Sequence, residues 1–203
     1  MTSDGTNQGA GEPSPDAGSP VSEPGKPVSA SQVVMARQMM PDDANPWGYI
    51  HGGVIMKMVD EAAGSAAIRH ARCRVATVAI DYMSFLSPVH IGDLVTLKAS
   101  VNDVGSSSME VGVRVECENM MTGHVLHTSS AYVVMVALDE AGNPVRVPPL
   151  RADTADEKRR MAAARVRRAQ RKVLEQKIKQ SADDLVRPAP VSSGMVSVAA
   201  GAE

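Results

Sequence analysis

The sequence of 203 residues contains few aromatic side chains and few cysteines. Five residues are aromatic, which leaves few rings for stacking on bases and argues against single-stranded nucleic acid as the main ligand. Two cysteines cannot form a disulfide framework, and neither a C-x-x-C nor an H-E-x-x-H motif is present. We therefore expect a reducing cytoplasmic location, no nucleic-acid partner and no metal site.

Long apolar runs are also missing. No run approaches the roughly 18 residues of a transmembrane helix, and the N-terminus lacks the basic start and apolar block of a signal peptide. We therefore expect no membrane partner. Apolar residues still make up 43% of the chain and include 13 methionines, so the length predicts one globular domain with additional segments.

The net charge of −2 conceals a segregation of charge along the chain. Residues 1–152 hold 10 basic and 16 acidic side chains, whereas residues 153–180 hold 10 basic and 4 acidic ones. The main body is therefore acidic, and one short segment near the C-terminus is strongly basic.

The two ends of the chain have the composition of disordered segments. Residues 1–31 contain five Pro, five Gly and six Ser and cannot bury enough apolar surface to offset their ordering entropy. The stretch 186–203 is similar. We predict disordered tails over 1–31 and 186–203, a globular domain over 32–150 and a basic helix over 151–185.

The globular region predicts one long apolar helix among strands. Apolar residues recur at three- and four-residue spacing from Val54 to about Arg69, which is typical of a nearly enclosed helix. Alternating apolar residues predict strands at 32–39, 75–85, 94–104, 108–119 and 125–138. The connections between the later strands are too short for parallel crossovers. We therefore predict an α+β fold of the hot-dog kind, a curved antiparallel sheet wrapped around a central helix.

The start of that helix is a candidate site. His51-Gly52-Gly53 leads into it, and free N–H groups at a helix N-terminus can bind an anion or a developing oxyanion. Paired glycines are also a common loop device, so this feature alone leaves a plain structural role open.

Asp60 is unusual because it lies on the predicted apolar helix. A carboxylate there must be paired, hydrogen-bonded or shifted in pKa, so Asp60 is either a general base or nucleophile, or the partner of Lys57 in a salt bridge. It lies eight residues after Gly52, about 12 Å along a helix. That separation is too large for one carbonyl, so joint catalysis predicts a dimer with sites shared between subunits.

The order of short motifs resembles the signature of hot-dog acyl-CoA thioesterases, in particular the cytosolic long-chain acyl-CoA hydrolase group. The matches span roughly residues 33–175. The matching motifs are Pro41-Asp42-Asp43-Ala44-Asn45, Gly48-x-x-His51-Gly52-Gly53-x-x-Met56-Lys57-Met58-x-Asp60-Glu61-Ala62, Phe85-Leu86-Ser87-Pro88-x-x-Ile91-Gly92, Ser108-Met109-Glu110-Val111, Asn119-x-x-Thr122-Gly123 and Asp156-Glu157-Lys158-Arg159.

This resemblance implies hydrolysis of fatty acyl-CoA to free acid and CoA, without a cofactor. Tandem members place an Asn opposite an acidic residue, which Asn45 and Asp60 match here. Since one domain is present, the resemblance implies a homodimer, with trimers of dimers common in the family. Asp60 would act as base or nucleophile, Asn45 would orient water or substrate, and the Gly52 and Gly53 amides would polarise the thioester.

Other residues are weaker candidates for contact with CoA. They are His51, which would shape the loop, Ser107 in a turn, and Arg159 and Arg160 in the basic segment. For most of the basic residues in that segment a solvated helix face is the preferred interpretation, ahead of nucleic-acid or partner docking. The alternative function is a non-catalytic acyl-CoA-binding regulatory module on the same fold.

Overall fold

A computed structural model describes residues 24–186. The strands are β1 (Lys26–Pro27), β2 (Val33–Gln38), β3 (Arg74–Phe85), β4 (Leu94–Val104), β5 (Ser108–Asn119), β6 (His124–Leu138) and β7 (Leu150–Arg151). The helices are α1 (Gly52–Ala71) and α2 (Ala155–Val186), with short 3-10 turns at Val28–Ser31 and Pro41–Asp43. None of the described helices is long and apolar enough to cross a membrane.

The main sheet has five strands in the order β2-β4-β5-β6-β3, and every neighbouring pair is antiparallel. Strands β1 and β7 form a small separate parallel pair. The predicted hot-dog architecture is confirmed, and the predicted bounds of β4 and β5 agree with the structure. In the described part of the chain β3 pairs with β6 alone, so its other edge lies at the border of the sheet.

Helix α1 packs against the inner face of this sheet. Ala62, Ala63, Ala66 and Ala67 are fully buried, since their small side chains allow the helix to lie close to the strands. The opposite side of α1 exposes Met56 and other residues. The helix is therefore less enclosed within one chain than its sequence predicts.

Helix α2 lies across the outer face of the sheet and is held there by ion pairs. Arg167 contacts the buried Glu110 of β5 at 2.6 Å, Arg168 contacts the buried Asp103 of β4 at 2.9 Å, and Arg171 contacts Asp81 of β3. The preferred interpretation of the basic segment as a solvated face is therefore wrong for these three arginines. It failed because the acidic partners lie 57 to 90 residues away in sequence.

The predicted disorder of residues 1–31 is wrong at its C-terminal boundary. Val28 and Ser31 are buried, and the Ser31 hydroxyl accepts a hydrogen bond from the Val101 N–H at 3.0 Å. Residues 26–31 therefore form part of the folded body. The predictions for residues 1–23 and 187–203 lie outside the described residues.

Candidate active site

The loop before α1 is organised by the carboxylate of Asp43. It accepts hydrogen bonds from the Met40 N–H at 3.0 Å and from Arg37 Nη2 at 2.7 Å to each oxygen. The Met40 N–H is the main cause that lowers the pKa of Asp43, and Arg37 adds to it against the cost of burial. The Asp43 carbonyl in turn accepts from the His51 N–H at 2.9 Å. Asp43 thus ties the start of the loop to the start of α1.

Asn45 occupies the turn of this loop. Its Oδ1 accepts hydrogen bonds from the N–H groups of Trp47 at 3.0 Å and Tyr49 at 3.3 Å. These two donors fix the orientation of the amide, because only the oxygen can accept them. Among the described residues no acceptor is found for the Asn45 Nδ2 group. Its N–H donors are therefore available to a ligand.

His51 caps the N-terminus of α1. Its Nδ1 accepts the Gly53 N–H at 2.9 Å, so that amide already has a partner. The Gly52 N–H has no acceptor in the described part of the chain. Gly52 also lies beside Phe85, since a Cβ at this position would be 3.5 Å from the ring. Of the two predicted oxyanion donors, Gly52 is the one that is free.

Asp60 is half-buried on α1 and interacts with Thr77 of β3. The Thr77 hydroxyl lies 2.5 Å from Asp60 Oδ1 and donates to it. The alternative salt bridge to Lys57 is not formed, since Lys57 Nζ is 3.9 Å from Glu61 Oε1 instead. The bond to Thr77 leaves the second carboxylate oxygen, Oδ2, without a protein partner among the described residues.

Thr77 was missed at the sequence level. It lies in an alternating strand, where a threonine is an ordinary β-former. No local pattern set it apart, since Thr77 is exposed within one chain and its partner Asp60 lies on the preceding helix.

A pocket of about 390 Å³ lies next to Gly52. Its lining is mostly apolar and includes Ile55, Phe85, Leu86 and Val89. Neither Asn45 nor Asp60 lines it. Within one chain, therefore, the apolar pocket and Gly52 lie together, and Asp60 with Thr77 forms a separate group.

The weaker candidates lie apart from both groups. Arg159 and Arg160 both pair with Asp156 and line a cleft of about 590 Å³ between α2 and the outer face of the sheet. The Ser107 carbonyl accepts the Ala137 N–H at 2.9 Å. In one protomer none of these three is brought to Gly52 or Asp60. No group of three His, Cys, Asp or Glu side chains suited to a metal ion occurs among residues 24–186.

Comparison with known proteins places this arrangement in a family. The model of the thioesterase superfamily matches residues 48–124, which include Gly52, Asp60 and Thr77. An uncharacterised acyl-CoA thioester hydrolase of Bacillus subtilis, YkhA, is 38% identical over 127 residues, 63% of this chain and 74% of that protein. The cytosolic acyl coenzyme A thioester hydrolase of Rattus norvegicus is 32% identical over 151 residues, 73% of this chain. This chain spans only 40% of the rat protein's length.

Solved structures agree with these sequence matches. The acyl-CoA hydrolase of Staphylococcus aureus, in complex with butyryl coenzyme A and coenzyme A, has a TM-score of 0.73 at 32% identity. The match covers 81% of this chain and all of that one. An apo-hexameric acyl-CoA thioesterase has a TM-score of 0.72 at 37% identity, with 74% of this chain and 96% of the other covered. The chain therefore belongs to the thioesterase superfamily of hot-dog proteins, and it is a thioester hydrolase.

Three single alanine variants of the Staphylococcus aureus enzyme have also been solved. They replace an asparagine, an aspartate 15 residues later and a threonine a further 17 residues on. The same separations relate Asn45, Asp60 and Thr77 in this chain.

Proposed function

We propose that this chain hydrolyses the thioester of fatty acyl-CoA to a free acid and CoA, with Asp60 as the reacting carboxylate. The observation that carries the proposal is the hydrogen bond from Thr77 to Asp60 at 2.5 Å, on a helix whose buried positions are mostly apolar. This bond holds one carboxylate oxygen in place and leaves the other available for reaction. The matching Asn, Asp and Thr spacing in the Staphylococcus aureus enzyme supports the assignment.

The reaction adds water across the acyl carbon–sulfur bond. Oxygen attacks the thioester carbonyl, the Gly52 N–H stabilises the oxyanion, and collapse of the intermediate breaks the carbon–sulfur bond. The departing CoA sulfur takes the proton that the water loses. Asn45 Nδ2 donates to the attacking water or to the substrate, and His51 holds the loop through Gly53.

Asp60 performs one of two roles, and incorporation of ¹⁸O into Asp60 itself identifies the nucleophilic one. As a general base it removes a proton from water, so the acid formed in a single turnover in H₂¹⁸O carries ¹⁸O. As a nucleophile it forms an anhydride with the acyl group. Hydrolysis of that anhydride at the Asp60 carbonyl leaves ¹⁶O in the first acid and ¹⁸O in Asp60.

The active form is a homodimer joined through β3, so that each site takes Asp60 from one subunit and Asn45 and Gly52 from the other. The free edge of β3 is 12 residues long and exposes Val78 and Tyr82, and such an edge favours pairing with another strand. Full antiparallel overlap of two β3 strands places Arg74 opposite the partner's Phe85. Gly52 lies beside Phe85. The partner's Thr77 is then three residues along its strand from the position opposite Phe85, a separation of about 10 Å.

The relatives support two further proposals, one on the assembly of dimers into a larger oligomer and one on the location of the protein. The hexameric thioesterase supports a trimer of these dimers, and the cytosolic rat hydrolase supports a cytoplasmic location. We propose no bound cofactor, since CoA enters as part of the substrate. Any contact of Ser107, Arg159 or Arg160 with CoA would come from a neighbouring subunit of such an assembly.

The test is release of free thiol from a series of acyl-CoAs by wild type, Asp60→Asn and Asn45→Ala. Wild type should turn over, and both variants should bind acyl-CoA while losing most of their turnover. Binding by wild type without thiol release would exclude acyl-CoA hydrolysis. Normal turnover in Asp60→Asn would exclude the assigned carboxylate.

A further inference from the structure

Helix α2 reaches the edge strand β3 and continues beyond its last hydrogen bond to the sheet. Its ion pairs reach three strands of the sheet: Asp103 on β4, Glu110 on β5 and, from the most C-terminal of these arginines, Asp81 on the edge strand β3. Arg171 makes the last hydrogen bond from α2 to the sheet among the described residues. The helix then continues from Leu174 to Val186, which adds about 18 Å at 1.5 Å per residue.

The face of α2 that rests on the sheet through its arginines becomes apolar in this extension. Ala164, Arg167 and Arg171 lie on that face, and spacings of three and four residues continue it to Leu174 and Ile178. Ala164 is 1% exposed over the sheet, whereas Leu174 and Ile178 are 58% and 62% exposed. Leu174 lies beside Asp81 and Tyr82 at the edge strand β3, and Ile178 lies one turn further along α2. The apolar face therefore continues outward from that edge.

We propose that residues 174–182 of α2 pack on the outer sheet face of a second copy of this chain, joined across β3. The inference rests on the β3 dimer of the proposed function and adds a second contact layer to it. The occupant is a second copy because pairing at β3 continues the sheet in the direction in which α2 projects. Residues 174–182 extend about 12 Å along the helix, and neighbouring strands lie about 4.8 Å apart, so this segment spans two or three strands of the partner.

The two α2 helices fit side by side in this dimer. In the full overlap of β3, Asp81 lies one and a half residues from the centre of the strand, which is about 5 Å along it. The two-fold axis therefore places the crossing points of the two helices about 10 Å apart. Packed helices have interaxial distances of about 8–10 Å, so the helices lie next to each other without overlapping.

The experiment compares two double variants of the full chain. Leu174→Glu with Ile178→Glu alters the sheet-facing side, and Val166→Glu with Val173→Glu alters a side about 110° around the helix, at valines that are 57% and 50% exposed. Both add the same charge to the same helix. Sedimentation equilibrium should show a dimer Kd raised at least about tenfold by the first pair and changed less than about twofold by the second.

Equal effects of the two pairs, or an unchanged Kd in the first, would overturn the inference. Val78→Lys on the free edge of β3 separates this failure from failure of the dimer itself. If Val78→Lys leaves the dimer intact, the proposed β3 dimer is wrong. If it yields monomer while the first pair stays dimeric, only the α2 contact is wrong.

Hydrogen exchange provides a readout that does not depend on the helix variants. Amides of residues 174–182 should exchange more slowly in the wild-type dimer than in the Val78→Lys monomer. Equal rates would contradict the contact. Anionic phosphatidylglycerol vesicles test the other occupant. If the wild-type protein binds them, and the Leu174→Glu, Ile178→Glu pair abolishes that binding without changing the dimer Kd, the surface belongs to a membrane contact instead.

Discussion

The hydroxyl of Thr77 on β3 donates to Asp60 on α1 at 2.5 Å, and this bond joins the edge strand to the central helix. Asp60 has no other hydrogen-bond partner among the described residues. The bond therefore determines which carboxylate oxygen is held and which is available. It also links the proposed reacting group to the strand through which we expect two copies to associate.

Thr77→Val should slow turnover by about 10- to 100-fold, which corresponds to the free energy lost with one hydrogen bond to a charged group. The isosteric change keeps the volume and removes the donor, so kcat should fall while KM for acyl-CoA changes little. Thr77→Ser keeps the hydroxyl and should recover most of the activity. The same kcat in Thr77→Val as in wild type would show that the bond does not position Asp60 for reaction.

Mixing inactive Asp60→Asn chains with inactive Asn45→Ala chains should restore activity. Random exchange makes half of the dimers hybrids, and each hybrid contains one intact shared site and one doubly altered site. The expected recovery is about one quarter of the wild-type rate, measured by thiol release after exchange. If hybrids form, as native mass spectrometry can establish, and activity stays absent, Asp60 and Asn45 do not act across the interface.

Arg167→Met should destabilise the fold by about 3–5 kcal/mol, because it leaves the Glu110 carboxylate buried without its cation. Arg167 also covers the ring of Tyr132 at 3.6 Å. Urea denaturation provides the free energy of unfolding. Adding Glu110→Gln to Arg167→Met should recover most of the loss, and a double variant no more stable than Arg167→Met would argue against a buried charge as the cause.

Asp43 should contribute stability that acid removes. Its folded pKa lies below the ordinary value because of the Met40 N–H, followed by Arg37. The contribution is therefore complete above the unfolded pKa of about 3.9 and is lost as the pH falls through the folded pKa. The difference in unfolding free energy between wild type and Asp43→Asn should be constant from about pH 7 to 5 and shrink towards pH 2. A difference that does not depend on pH would contradict this role.

The two cysteines should differ in reactivity. Burial, together with a hydrogen bond to Asp93, raises the pKa of the Cys117 thiol to about 12, whereas Cys73 is half-buried. A disulfide reagent at about pH 8 should therefore label one thiol in the folded protein and two in urea, since the thiolate is the reactive form. Rapid labelling of both in the folded state would show that Cys117 is accessible.

Local patterns in the sequence predicted most of the fold. The three- and four-residue spacing in α1 and the alternation in β4 and β5 each depend on residues near one another in the chain. Asp60 is a candidate because a carboxylate on an apolar helix needs a compensating partner. The identity of that partner, Thr77, depends on which strand faces the helix, and no local pattern contains this information.

The arginines of α2 illustrate the same limit. The local sequence of α2 predicts a solvated basic face, because the acidic partners of these arginines lie far back along the chain on β3, β4 and β5. The two glycine amides differ for a similar reason. The His51 side chain turns back and accepts the Gly53 N–H, so that only the Gly52 N–H stays free. Tertiary contacts thus decided the details that local patterns left open.

The charge segregation along the chain has a consequence for how the protein can be divided. Three arginines of α2 neutralise carboxylates on three strands. Two of these acidic residues, Asp103 and Glu110, are only 3% and 2% exposed. A truncation at residue 152 would leave both acids on the sheet without a cation. The acidic body and the basic helix are separate segments of the sequence, but they are stable only as one thermodynamic unit. A shortened version made for crystallisation or expression should therefore keep the chain at least through Arg171.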